Sequence, residues 1–357
     1  MIFERNLLTR IAPQAPLYLD NLMMTVSELK RALCDCAGLE ALIQGQLAQA
    51  RPDETTGKKP YYRLRVVDAR DGLDVNAWSD TPAFAAVSGK IVAAGDFVEL
   101  QGVFSKTDRG LNTQGLSIRM LTAEEKATLL NGSAERRDEL DKWEAELEAA
   151  IVAMKDPLLR ALSERVFSKV RIRFKRAAAA MAVHHARRGG LIEHTASMVR
   201  LAKAIGGCYP DANLDLIVFG VIWHDLGKIY ECDIDEGFAV QSSLTGVLVG
   251  HIAVGALVLS AVLLEISQTD KALLEGRSVE EFEAHVLHVI LAHHGTKEHG
   301  SPVEPQTLEA LIVHSIDKLD ANVEMMRAAF AGADPGTDLI DAPRPLKGKL
   351  ARSLKTV

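Results

Sequence analysis

The amino-acid sequence predicts a multidomain α+β chain, with a small β-barrel in its N-terminal third and an all-helical domain behind it. Three observations carry that reading. Between about 40 and 122, apolar and polar residues alternate with the period of half-buried strands. Beyond that, apolar residues return at the spacing of amphipathic helices. The histidines all fall in the helical part, between His184 and His314.

Length and composition bound the possibilities. A chain of 357 residues has room for two or so domains, each with its own core. A net charge of −7 and a pI near 5.9 argue against a protein that coats nucleic acid with its whole surface, while leaving room for a local basic groove. Met1 to Arg10 has neither a long apolar core nor a cleavage-like site, so no signal peptide is expected. No membrane span is expected either: the longest apolar run, Val247 to Ile266, is interrupted by His251 and Glu265. Cys34, Cys36, Cys208 and Cys232 are scattered without zinc-ribbon spacing, which fits a reducing cytoplasm.

In chain order, residues 1–39 form an extension with one helix, Val26 to Cys36. Ala41 to Leu47 and Tyr61 to Val67 alternate as strands, and Asp71-Gly72 turns into a third, Leu73 to Trp78. A short helix from Ala83 to Val87 precedes two more strands, Asp96 to Phe104 and Gln114 to Met120. Five short strands with one helix between the third and fourth is the order of an OB-fold barrel, expected over 40–122. A helical connector follows over 123–170; its charged stretch runs from Ala134 to Met154, and Asp156-Pro157 opens the next helix. The helical domain proper spans 171–332, and 333–357 is a Gly/Pro/Asp-rich tail that ends basic.

The centre of the helical part is Val221-Ile222-Trp223-His224-Asp225-Leu226-Gly227-Lys228. The apolar run from Leu214 to Trp223 predicts a buried helix that delivers His224 and Asp225 at its end, with Gly227 as the helix stop. A buried carboxylate beside an imidazole costs several kcal/mol unless compensated, and a divalent ion compensates well. Other helices send similar groups inward. His194 shares a face with Leu191, Met198 and Ala202, and His251 sits inside an apolar run. Phe282, Val286 and Val289 lead at helical spacing to His293 and His294, and Asp317 follows Val313 by one turn. Singly, each such histidine reads as a satisfied core residue. Together they describe a core that would be hard to stabilise without metal.

His194, His224-Asp225, His251, His293-His294 and Asp317 together resemble the signature of the HD-domain metal-dependent phosphohydrolases. The segments His184 to Thr195, His293 to Pro302 and His314 to Ala321 resemble the YhaM-type 3′→5′ exoribonucleases. The likeness is strong over about 180–325, mostly architectural over 40–122, and absent from 1–39 and the tail. It implies an N-terminal OB-fold, a C-terminal all-α HD domain, and two divalent ions bridged by Asp225. His194, His224 and Asp317 would hold one ion, and His251 with His293, His294 or both the other. Mn²⁺ is the metal the resemblance implies; the ligand chemistry suits Mn²⁺, Fe²⁺, Co²⁺ or Zn²⁺ better than Mg²⁺.

The expected chemistry is hydrolysis of phosphodiester bonds by metal-activated water, with Asp225 and Lys228 as catalytic groups. Lys228 reads equally as a phosphate contact or as a helix-terminal lysine. His184, His185, Arg187 and Arg188 are candidate nucleic-acid contacts beside the metal site, within a run of nine Lys/Arg against one acid from Arg160 to Arg188. The bland reading of that run is a solvated helix face. In the barrel, Lys58, Arg63 and Arg65 surround Tyr61 and Tyr62, a combination used for single-strand binding. Tyr61 and Tyr62 cannot both face outward, and Trp78 reads as core before platform.

The leading function is a 3′→5′ exonuclease on single-stranded RNA, with single-stranded DNA as a further substrate and homo-oligomers compatible with it. The first alternative is a nucleotidase or cyclic-nucleotide phosphodiesterase. Gly295 to Pro302 lacks the Gly-Tyr-Pro element of cyclic-dinucleotide enzymes. The second is a nucleic-acid-binding mobilisation or regulatory protein with a non-catalytic HD centre, which the complete ligand set disfavours.

Overall fold

A computed structural model describes residues 23–354 apart from 35, 70, 108–109, 180–187, 234–236, 239–240, 275, 332 and 334–335. Two compact units emerge: Met1–Asn131 with Gly237–Ala239 and Ala331–Asp338, and Gly132–Glu236 with Val240–Phe330 and Leu339–Val357.

The first unit begins with β1 (Met23–Met24) and α1 (Val26–Ala32). Thr25 caps α1 in a reciprocal box with Glu28, which satisfies backbone donors that the helix start leaves open. The helix stops at Ala32 rather than reaching Cys36; past it, the thiols of Cys34 and Cys36 donate back to the carbonyls of Lys30 and Ala32. Val26, Leu29 and Leu33 are buried in the sheet's core, so this described part of the N-terminal extension belongs to the same unit as the sheet.

The sheet contains β2 (Leu39–Glu54), β3 (Pro60–Val67), β4 (Gly72–Trp78), β5 (Phe97–Thr107) and β6 (Gly110–Met120), in the order β4-β3-β2-β5-β6, with β1 parallel to β2. β2 runs longer than its alternation predicted because it serves two partners. Leu39 to Gln46 pair with β5, and Gln46 to Glu54 pair with β3. The strand changes partner at Gln46, and at the adjacent Gly45 a Cβ would meet the Val67 carbonyl at 2.6 Å, so only glycine admits the close crossing. Ile43, Leu47, Leu64, Val66, Val75, Leu100 and Phe104 fill the core between sheet and α2 (Pro82–Ser88). Thr113 Oγ1 donates to the Asn76 carbonyl at 3.1 Å, bringing β6 beside β4. No strand pairing joins β4 to β6 among the described residues, and the structure establishes a sheet of antiparallel β2–β6 with helices. α3 (Ala123–Asn131) follows.

The second unit is helical. α4 (Ala134–Val152) and α5 (Pro157–Arg176) bury Leu147, Ile151, Leu158, Leu162, Val166 and Phe174 in its core, so residues 134–170 form part of this domain and not a free connector. α6 (Gly190–Gly206) packs against α7 (Leu214–Trp223), which is buried from Leu216 onward. Burial of a large apolar side chain is worth about 1.5–3 kcal/mol, so this central helix anchors the domain. Trp223 packs against Phe167 and Phe174, and its indole N–H finds Ser163 Oγ at 3.0 Å. At Gly220 a Cβ would run into Val289 and Val313, so α7 crosses its neighbours closely there.

Then come α8 (Lys228–Glu231), a small hairpin of β7 (Cys232–Asp233) and β8 (Gln241–Ser242), α9 (Leu244–Leu248), α10 (His251–Thr269), α11 (Val279–Leu291) and α12 (Leu308–Ala331). α10 is long and apolar enough to cross a membrane by composition, but it buries Ile252, Leu259, Val262, Leu263 and Ile266 in the domain core. The tail forms a hairpin of β9 (Leu339–Asp341) and β10 (Lys349–Ala351).

Most of the basic run on α5 is engaged in ion pairs. Arg165 pairs with Glu265 and Asp270, Lys169 with Glu265, Arg171 with Glu144 and Glu148, and Lys175 with Asp141 and Glu144. For these four, the solvated, paired helix face is the better description.

Candidate metal centre

Four helices and two turns bring the histidines and carboxylates together. His194 opens the second turn of α6, and His224 caps the C-terminus of α7 with Asp225 next to it. His251 opens α10, His293 and His294 follow the end of α11, and Asp317 lies on α12. Gly227 follows Asp225 with no left-handed backbone. It is glycine because a Cβ there would stand 1.9 Å from the His251 carbonyl oxygen, not because the helix needs a stop signal. Gly295 has φ +82°, and a Cβ on it would enter the His314 ring. That ring in turn donates to the His293 carbonyl at 2.7 Å and locks the turn.

Asp225 stands at the middle. Its Oδ2 lies 3.2 Å from His224 Nε2, and its Oδ1 lies 3.5 Å from His251 Nε2 and 3.6 Å from His293 Nε2. Asp317 Oδ1 lies 3.2 Å from His194 Nε2 and 3.9 Å from His224 Nε2. The ligand atoms of His194, His224 and Asp225 fall within 4.8 Å of one another, as do those of His251, His293 and His294.

Each ring turns its other nitrogen to an oxygen. Nδ1 of His194 meets Asp320 Oδ2 at 2.7 Å, and that of His251 meets Glu231 Oε2 at 3.0 Å. Nδ1 of His224, His293 and His294 meets the carbonyls of Val221 (3.0 Å), Ile290 (2.6 Å) and His299 (2.9 Å). Such anchoring selects the tautomer that presents a bare Nε2. The Nε2 atoms of His224, His251 and His293 and Oδ1 of Asp225 are buried without a hydrogen-bond partner. A divalent cation fits that donor set, which is short of positive charge and rich in lone pairs.

Without an ion, the carboxylates draw positive charge from the chain's own groups. Burial works against a cation at His194, but Asp317 and Asp320 outweigh it and raise the ring's pKa to about 9. His294 is pushed down to about 4 by burial and by His293. Burial also disfavours ionised Asp225, yet Lys228 and His224 hold it well below the usual carboxylate range. Lys228 Nζ lies 2.6 Å from Asp225 Oδ2, which places this lysine on the site's carboxylate.

Glu231 and Asp320 were given no role by sequence reasoning. Each sits one helical turn beyond a group that was, Lys228 and Asp317, and that i+3 spacing was the available signal.

The candidate nucleic-acid contacts divide. His184, His185 and Arg187 lie outside the described residues, and the Arg188 carbonyl accepts from Arg136. In the sheet unit, Lys58 is exposed in a left-handed turn, Arg63 pairs with Asp53, and Arg65 pairs with Asp74. Tyr62 packs on Phe84 toward the core, so it is no platform. Tyr61 lies on the other face of the sheet but is itself buried, 8% exposed, and Trp78 beside it is half-buried on that same face, contrary to its expected place in the core. Their rings lie 4.8 Å apart, with Arg63 bonded to the Tyr61 hydroxyl.

The helical domain and its clustered imidazoles and carboxylates define an HD-domain protein, and residues 191–322 match the family model described as HD domain. The chain is 31% identical over 283 residues to the 3′-5′ exoribonuclease YhaM of Geobacillus sp. (strain WCH70), an alignment covering 78% of this chain and 81% of that one. It is 38% identical over 192 residues to that of Listeria welshimeri, covering 54% and 57%, and 30% identical over 282 residues to that of Listeria monocytogenes serotype 4b (strain CLIP80459), covering 78% and 84%. The chain belongs to the YhaM 3′-5′ exoribonuclease family.

Proposed function

We propose that this protein is a metal-dependent 3′→5′ exoribonuclease that shortens single-stranded RNA at a dinuclear centre. The observation that carries the reading is the set of buried, partnerless ligand atoms facing Asp225. A buried polar atom without a partner costs about 1–3 kcal/mol, so several in one place mark a built site rather than an accident of packing. His194, His224, Asp225 and Asp317 would hold one ion. His251, His293 and His294, sharing Asp225, would hold the other. Mn²⁺ is our assignment, on ligand type and family.

Bound ions lower the pKa of a water toward neutrality and offset negative charge on the phosphoryl oxygens. The chain's own groups supply the rest. Lys228 orients Asp225 through its 2.6 Å contact and keeps a positive charge where the phosphate's charge accumulates. The five anchored rings hold their Nε2 atoms in place before substrate arrives, so little reorganisation is needed at the moment of reaction.

For the sheet unit we propose an OB-fold, supported by strand order, by the two-partner β2 and by the approach of Thr113 to Asn76. On its outer face the half-buried Trp78, backed by the buried Tyr61 and with Arg63 and Arg65 on the same face of the sheet, suits stacking of a single-stranded base, and RNA as substrate comes from the relatives' activity. His184, His185, Arg187 and Arg188, which precede α6 in sequence, are proposed phosphate contacts. Among the described residues Cys34 and Cys208 are free thiols, which fits a cytoplasmic home.

The test is a denaturing-gel time course with 5′-labelled single-stranded RNA and Mn²⁺, beside matched DNA and a chelator control. A ladder shortening from the 3′ end, absent with chelator, is expected. Intact RNA with hydrolysis only of mononucleotides or cyclic nucleotides would move the protein to the small-nucleotide class.

A further inference from the structure

The two halves of the centre are built differently. In the first, the His194 ring is fully buried and its Nδ1 is held by Asp320 Oδ2, while Asp320 Oδ1 takes the Ser197 hydroxyl at 2.5 Å. Both carboxylate oxygens of Asp320 thus tie α12 to α6, and His194 has little freedom to turn. That half also offers two carboxylates, Asp225 and Asp317.

The second half offers imidazoles and only the shared Asp225. His294 is half-buried, and His251 leans on Glu231, whose side chain is 25% exposed. Glu231 stands on the single turn of α8 and is steadied from behind. Its carbonyl accepts from the Ser243 N–H at 2.9 Å, and its backbone lies so close to Gly246 that a Cβ there would meet the carbonyl oxygen at 2.4 Å.

We propose that Glu231 and Asp320 are positioning residues serving one ion site each, and that the two sites fill in order, the Asp320-backed site first. Resting on the dinuclear reading above, the inference follows from two physical effects. A carboxylate behind a ligand imidazole fixes its ring and raises its basicity, and removing such a group costs about 10–100-fold in metal affinity. More ligand charge and a stiffer cage tighten cation binding, and the first half has both. Neither Glu231 nor Asp320 touches the ion or substrate in this scheme; each acts through one ring.

The experiment is a Mn²⁺ titration of full-length, metal-free protein, with free Mn²⁺ followed by electron paramagnetic resonance. Two binding steps are expected for the wild type. Glu231→Ala should weaken the second step about 10–100-fold and leave the first within about twofold. Glu231→Gln, which keeps an acceptor for Nδ1–H but no charge, should fall between. Asp320→Asn should weaken the first step instead. Melting midpoints of the metal-free variants, matching wild type, show that the fold is kept. Equal weakening of both steps by Glu231→Ala, or no change in either, overturns the assignment while leaving the dinuclear reading intact. A single equivalent of Mn²⁺ bound to the wild type overturns the dinuclear reading and this inference with it.

Discussion

Gly227 and His251 touch backbone to backbone: a methyl group on the glycine would stand 1.9 Å from the histidine's carbonyl oxygen. The turn that carries Asp225 and the helix that carries His251 are therefore held at a spacing no other residue permits. Gly255 continues the contact one turn on, where a Cβ would lie 3.2 Å from the Gly227 nitrogen. Gly227→Ala must push α10 outward. We expect a loss of about 1–3 kcal/mol in urea unfolding of the metal-free protein, the usual cost of overpacking. Unchanged stability would mean that the two backbones do not meet this closely.

Asp225→Asn keeps the shape of the central residue and removes its charge. Both proposed ion sites share this carboxylate, so turnover should fall by about 10³-fold or more, equivalent to about 4 kcal/mol of barrier. Single-turnover hydrolysis of labelled RNA at saturating Mn²⁺ measures it. Wild-type turnover in this variant would rule out the proposed mechanism.

Asp156 gives the clearest pH signature away from the centre. Burial disfavours its charge, but Arg277 at 2.7 Å and the N–H groups of Leu158 and Leu159 outweigh that and lower its pKa. A depressed folded-state pKa adds stability that is fully present above the ordinary carboxylate value of about 4 and is lost as pH falls through the folded value. Asp156→Ala should therefore cost about 1–2 kcal/mol at pH 7, the size of a lost helix cap with its ion pair. The difference from wild type should narrow at pH 3. Urea midpoints at the two pH values decide it, and an equal gap at both would show that ionisation of Asp156 contributes nothing.

Trp78 should matter for binding rather than chemistry. Its ring packs at a tilt against Tyr61 on the outer face of the sheet, and base stacking on such a ring is worth about 1–3 kcal/mol. Trp78→Ala should raise the Kd for a long single-stranded RNA by about tenfold, while hydrolysis of a short oligonucleotide keeps its kcat. Fluorescence anisotropy with the two lengths tests this. Equal effects on both would remove the sheet from substrate binding.

Much of this molecule was legible in the sequence because its signals are local. Strand alternation and turn residues placed the five sheet strands, and the apolar run into His224-Asp225 placed the centre's main helix. Trp78 was misread as core although the signal was there: Leu73, Val75 and Ala77 point inward, so parity sends Trp78 outward, a constraint stronger than its hydrophobicity. What escaped was tertiary. Gly227 looks like a helix stop because sequence does not reveal the crossing of α10. The arginines and lysines of α5 look unpaired because their acids, Glu144 and Glu265, come from other helices. Glu231 and Asp320 stood beside residues with assigned roles, but only the folded chain shows which ring each one backs.

His194 and Asp317, 3.2 Å apart, come from the first long helix of the HD match and from its last. An ion gripped by both would act as a cross-link, closing most of that region into a single loop. Closing so long a loop removes much of the unfolded chain's freedom, as a disulfide does, without requiring an oxidising compartment. Chelator should then lower the melting midpoint and expose the helical domain to protease, and added Mn²⁺ should reverse both. Metal supply would govern how long each copy of the enzyme lasts, as well as how fast it works.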